Sequence, residues 1–183
     1  MLTFIILIIL AYSFYTGFRR GLVMQLVQLL GYVITFILAT KYFEPLSQYV
    51  EMIIPFPSVQ QNTNLIFYDE AQSFLVDQAF YRAVTFVVIG LIGWLLTKFL
   101  AVFFTRITYY NVLSIVNYIG GGLINLLIAF VMIYIFLFIL SLIPIEFIQQ
   151  QFVDNPLAYR IVADTPFLSK WAAETWLTVN PFG

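Results

Sequence analysis

The sequence predicts an all-α, polytopic membrane protein with four transmembrane helices and short amphipathic helices outside them. Three observations carry this reading. Of the residues, 62% are hydrophobic and 9% are charged, against about 25% charged in an ordinary soluble domain. Mean hydropathy is +0.97 over 183 residues, more apolar surface than one aqueous core of that length can absorb. Finally, four long apolar runs are separated by polar or basic breaks.

The spans are expected at about 2–16, 22–40, 83–104 and 118–143, where length and low charge suit a hydrocarbon core of about 30 Å. The stretch Thr16–Gly21, TGFRRG, divides the first two. One helix through residues 1–40 would be roughly 60 Å long, about twice that thickness. The two arginines therefore mark a turn at a water interface, with Gly17 and Gly21 supplying backbone freedom. No basic residue precedes the first apolar run and its arginines follow it, which reads as a retained anchor with its N-terminus outside, not a cleaved signal.

Basic residues set the expected orientation. Arg19 and Arg20 place the first turn in the cytoplasm, and the loop TRITYYNVLSIVN returns Arg106 to the same side, with Lys98 snorkelling toward it. Lys41 and Arg82 edge the opposite loop, residues 41–82, but that loop is much longer. All nine acidic residues fall in this loop or in the tail, residues 144–183. Both chain ends are then extracytoplasmic.

After Pro45, Leu46, Tyr49, Val50, Ile53 and Ile54 follow helical spacing, which predicts a short interfacial helix. PFPSVQQNTN predicts an irregular connection, and a second helix is expected from about Leu65 to Tyr81, running on into the third span. In the tail, Asn155–Pro156 and Thr165–Pro166 read as helix starts, Thr165 as a cap. Trp171 and Trp176 suggest a last helix at the headgroup level. A packed subdomain of loop and tail is the equal alternative.

Catalytic and cofactor chemistry find little to work with. The chain has no His and no Cys, which removes imidazole and thiol catalysis and nearly all zinc sites. No catalytic, metal or cofactor-binding residue is assigned. The net charge of −1 argues against a nucleic-acid partner, since nothing neutralises a run of phosphates.

Two groups of residues remain as candidates. Gly17, Arg19, Arg20 and Gly21 form a motif whose first reading is topology and whose second is a clamp for a lipid phosphate or anionic solute. Gly120, Gly121, Gly122 and Asn125, with Ala129, put small and polar groups on the fourth helix; Gln25 and Gln28 share one face of the second. Close helix packing is the favoured reading and a polar lining for a solute path the alternative. Gly90 and Gly93 fall into the same class, and Tyr32, Trp94 and Tyr134, near mid-span, are expected to fill protein contacts.

The hairpin GFRRGLVMQLVQLLGYV, the short basic loop after the third span, LSIVNYIGGGLINLLIAFVMI and the closing DTPFLSK together resemble the colicin V production (CvpA) family of bacterial membrane proteins. Arg20–Gly21 and the Asn117, Gly120, Gly121 opening of the fourth helix are the most distinctive pieces. The resemblance implies a four-helix inner-membrane protein associated with toxin production or export and with tolerance of envelope stress. Related segments also anchor extracytoplasmic serine proteases, which requires the segment to end outside. A protease is not expected within residues 1–183, which lack a triad His.

A non-enzymatic scaffold or accessory factor, whose partners are the bilayer, other copies of itself or other envelope proteins, is the first function expected. An oligomeric small-solute channel or transporter is the second. An intramembrane enzyme is the weakest, because no acidic residue lies in a span and Lys98 is the sole charged candidate there.

Overall fold

The computed structural model describes residues 2–56, 65–68, 75–104 and 114–177. Among the described residues every regular element is helical: α1 (Leu2–Arg20), α2 (Leu22–Ile53), α3 (Val76–Phe104), α4 (Ser114–Leu142), α5 (Glu146–Asp154), α6 (Pro156–Ala163) and α7 (Leu168–Ala172), which leads into a π-helical segment, Ala173–Leu177. The all-α, four-span expectation holds, since α1 to α4 are each long and apolar enough to cross a membrane.

Three of these helices outrun the bilayer. With 32, 29 and 29 residues, α2, α3 and α4 are roughly 48, 43 and 43 Å long, beyond a hydrocarbon core of about 30 Å. The spare turns of α2 and α3 carry acidic and basic residues. Glu44, Ser47 and Glu51 lie at the end of α2, Asp77 and Arg82 at the start of α3, and Arg82 pairs with Glu44 at 3.8 Å.

This corrects two expectations. The amphipathic stretch after Pro45 is not a separate helix, because α2 runs through the proline. Pro45 removes one donor, the one the Lys41 carbonyl would accept, and both residues are exposed, so that carbonyl can be solvated. Leu65–Tyr68 is not helical, and α3 starts at Val76. From there it does continue unbroken into the third span. The connection over residues 57–64, the stretch 69–74 and the basic loop with Arg106 lie outside the described residues.

The chain divides into two compact units. One comprises Met1–Thr3, Phe43–Thr85 and Ile133–Gly183, and it packs large aromatic and aliphatic side chains inside. Trp176, Tyr134, Phe138, Phe152 and Leu142 are all fully buried there. Phe138 meets Trp176 with ring centroids 5.2 Å apart, and Phe67 lies edge-on to Phe152 at 5.1 Å and stacked on Tyr159 at 4.8 Å. Each such aromatic pair contributes about 1 kcal/mol beyond its area. Residues 65–68 and the tail thus share a core, as the packed-subdomain alternative has it.

Trp176 is accordingly corrected from a headgroup anchor to a core residue, because its indole is enclosed by Phe138 and Trp171. The Thr165 cap is corrected too. Its hydroxyl reaches back to donate to the Ile161 carbonyl at 2.6 Å, bonding the end of α6, and α7 starts only after Phe167, whose φ is +65°. Asn155 precedes Pro156 at the start of α6 as expected, but its amide is used elsewhere, donating to Gln151 O at 2.9 Å and accepting from Thr3 Oγ1 at 3.3 Å.

The other unit comprises Phe4–Tyr42 and Phe86–Met132, and it is organised the opposite way. Its buried positions are mostly small or polar, among them Gly17, Gly21, Gln25, Gln28, Ala39, Thr97, Ala101 and Gly121, while Phe4, Leu30, Leu95 and Phe99 are exposed. Lipid tails give large apolar side chains no reason to face inward, so close backbone approach and interhelical hydrogen bonds hold such helices together.

Candidate functional site

The TGFRRG turn is built by three helices of the second unit. α1 ends at Arg20; Gly21 adopts φ +81° and α2 begins at Leu22. That φ is costly for a residue with a Cβ, so glycine is required. The Gly21 N–H still bonds to Gly17 O at 3.0 Å. The Leu22 N–H, one of the donors a helix start leaves unmet, is taken by Asn117 Oδ1 of α4 at 2.7 Å.

A Cβ on Gly21 would lie 2.6 Å from Asn117 Nδ2, and one on Gly121 would lie 2.6 Å from Gly17 O. The backbones of α1 and α4 therefore touch at Gly17 and Gly121. One turn along α4, Asn125 Nδ2 donates to Ser13 O at 2.6 Å and to Thr16 Oγ1 at 3.0 Å. Gly120 packs on Leu22 and Gly122 on Phe14, and Phe18 stacks on Tyr118 at 5.2 Å. Gly17, Gly21, Asn117, Gly120, Gly121, Gly122 and Asn125 are thus one contact. Gly90 is outside it, with open space where a Cβ would stand.

Arg19 and Arg20 remain exposed beside this contact. Arg19 lies over the Tyr15 ring at 5.9 Å. Neither arginine has a carboxylate partner among the described residues.

Gln25 and Gln28 occupy a different face. Gln28, 2% exposed, accepts from Lys98 Nζ of α3 at 2.8 Å. The ammonium also sits 5.9 Å from the Tyr32 ring centroid. Instead of reaching toward the loop, as expected from snorkelling, Lys98 is held at the level of Gln28. Gln25, fully buried, has no hydrogen-bond partner for either end of its amide.

Two close approaches join α2 and α3: a Cβ on Gly93, a packing candidate from sequence, would strike Thr35, and a Cβ on Gly31, which the sequence did not single out, would strike Thr97. The signal was present as a Gly and a Thr four residues apart on each helix. Trp94 is 40% exposed and does not fill a contact within the chain as expected, whereas Tyr134 is buried and donates to Leu168 O at 3.0 Å.

Residues 2–166 match the sequence model of the family described as colicin V production protein. The chain is also 24% identical over 176 residues, 96% of its own length and 97% of its counterpart's, to a Bacillus subtilis (strain 168) protein named as an uncharacterized transmembrane protein, YshB. No solved structure matches it.

Proposed function

Because the chain belongs to the colicin V production protein family, we propose that it is a non-enzymatic scaffold or accessory factor for colicin V type toxin production or export and for envelope homeostasis. It acts in the bacterial inner membrane with both termini outside, contacting the bilayer and either other copies of itself or other envelope proteins. One observation favours this over a solute path. The Gly17, Gly121, Asn125 contact uses its polar groups within the protein, Asn125 on Ser13 O at 2.6 Å and Asn117 on the Leu22 N–H at 2.7 Å. Groups so engaged are not free to line a pathway.

A deletion strain provides the test. Loss of the gene is expected to lower toxin secretion and envelope-stress tolerance, with both restored by the intact chain, while purified protein in liposomes conducts no ions or small solutes. Flux above that of empty liposomes, with a closed oligomer in native mass spectrometry, would replace the scaffold by the oligomeric channel, which the Lys98–Gln28 pair inside the spans favours.

A further inference from the structure

The unit made of Phe4–Tyr42 and Phe86–Met132 carries charge of one sign. Residues 4–42 and 86–132 contain Arg19, Arg20, Lys41, Lys98 and Arg106 and not one Asp or Glu. All nine acidic residues belong to the other unit. Lys98 is the cation that matters most, because it lies six residues before the end of α3, roughly 9 Å into the helix. A charged side chain at such a position normally has a counter-charge. Among the described residues Lys98 has a neutral amide and an aromatic ring instead.

Gln25 stands one turn before Gln28 on the same face of α2, so it extends the surface that Gln28 offers to Lys98. Its carbonyl oxygen and its amide nitrogen are both buried and unmatched. A buried polar group left unmet is destabilising unless something occupies it. Arg20 ends α1 at the turn that opens α2, five residues before Gln25. Among the described residues neither Arg20 nor Lys98 has a carboxylate partner, and the unused buried amide of Gln25 stands between that turn and the Gln28–Lys98 bond along α2.

We propose that Arg20, Gln25, Gln28 and Lys98 form a binding site for a phosphate group, carried by an anionic lipid headgroup or by a free phosphate. Lys98 has donors left after its bond to Gln28, since an ammonium carries three. Those donors and the Arg20 fork meet the phosphate oxygens. The Gln25 amide nitrogen donates a further bond, and its oxygen accepts from a hydroxyl of the same ligand. The site goes beyond the scaffold reading and stands or fails independently of it.

The test uses the whole purified chain. In nanodiscs of mixed phosphatidylglycerol and phosphatidylcholine, native mass spectrometry is expected to retain phosphatidylglycerol selectively, or calorimetry in zwitterionic detergent to detect inorganic phosphate. Retention that phosphate does not compete away identifies the headgroup; calorimetric binding without lipid selectivity identifies the free anion. Lys98→Gln should lower the affinity at least tenfold. Gln25→Leu, an apolar side chain of similar size in a buried span position, should keep the fold and still lower the affinity several-fold. If neither probe binds, or if binding is unchanged in a folded Gln25→Leu protein, the site does not exist.

Discussion

The side chain of Asn117 closes the start of a helix to which it does not belong: its Oδ1 accepts the backbone N–H of Leu22 at 2.7 Å. The arrangement joins α4 to the α1–α2 turn at the one residue, Gly21, whose φ is +81°. The bond is part-buried, so the side chain supplies an acceptor that the helix start itself lacks. The Arg-Gly turn and the Asn-Gly opening of α4 are therefore two halves of one structure.

Asn117→Ala should destabilise the protein by about 1 kcal/mol, the usual value of an N-cap side chain. Asn117→Asp keeps the acceptor oxygen and should recover most of it. Thermal unfolding in mild detergent reads both. Equal losses for the two variants would mean that the acceptor oxygen is not what matters.

Gly121 and Gly90 form a matched pair. Gly121→Leu forces a side chain into the Gly17 carbonyl, where even a Cβ would lie 2.6 Å away, and overpacking of this kind costs about 1–3 kcal/mol. Gly90→Ala meets open space and should be neutral or stabilising, by up to about 1 kcal/mol. A Gly121→Leu protein as stable as the parent would show that α1 and α4 do not touch.

The helices were legible because their cause is local: apolar runs of spanning length and a charged turn between them. The Gly, Asn and Gln positions were legible as a set, since small and polar residues stand out in an apolar helix. Their partners were not. Asn117 and Leu22 are 95 residues apart, and neither composition nor periodicity pairs residues at that separation. Trp176 misled because an aromatic residue near a membrane suits an interface and a core equally, and only the proximity of Phe138 decides. Pro45 misled because proline costs a helix one hydrogen bond and a clash with the preceding turn, a local cost that α2 absorbs where Lys41 and Pro45 are exposed.

Orientation can be separated from phosphate recognition at the first turn. With Arg19→Lys and Arg20→Lys together, positive charge is kept, so a reporter fused after Gly183 should remain active outside the cytoplasm as in the parent. Phosphate binding should fall several-fold, because an ammonium lacks the bidentate fork. A reporter at that position working only in the cytoplasm would reverse the topology.

The last prediction concerns pH and lies outside the spans. Tyr68 is buried, and its hydroxyl is 2.9 Å from Ser141 Oγ. Burial raises its pKa well above the ordinary phenol value, and the bond to Ser141 offsets only part of that. The folded protein therefore keeps the phenol protonated where the unfolded chain ionises it. The sign follows: stability from this group is complete below about pH 10, the unfolded value, and declines as pH rises beyond it. Tyr68→Phe should be less stable near neutrality by about 1 kcal/mol, the net value of one hydrogen bond, yet should lose stability less steeply above about pH 10. Unfolding midpoints of both proteins across the alkaline range measure the two slopes. Parallel slopes would mean that Tyr68 ionises as readily in the folded protein as in the unfolded chain, and that residues 65–68 do not pack against α4 and α5 as a closed core.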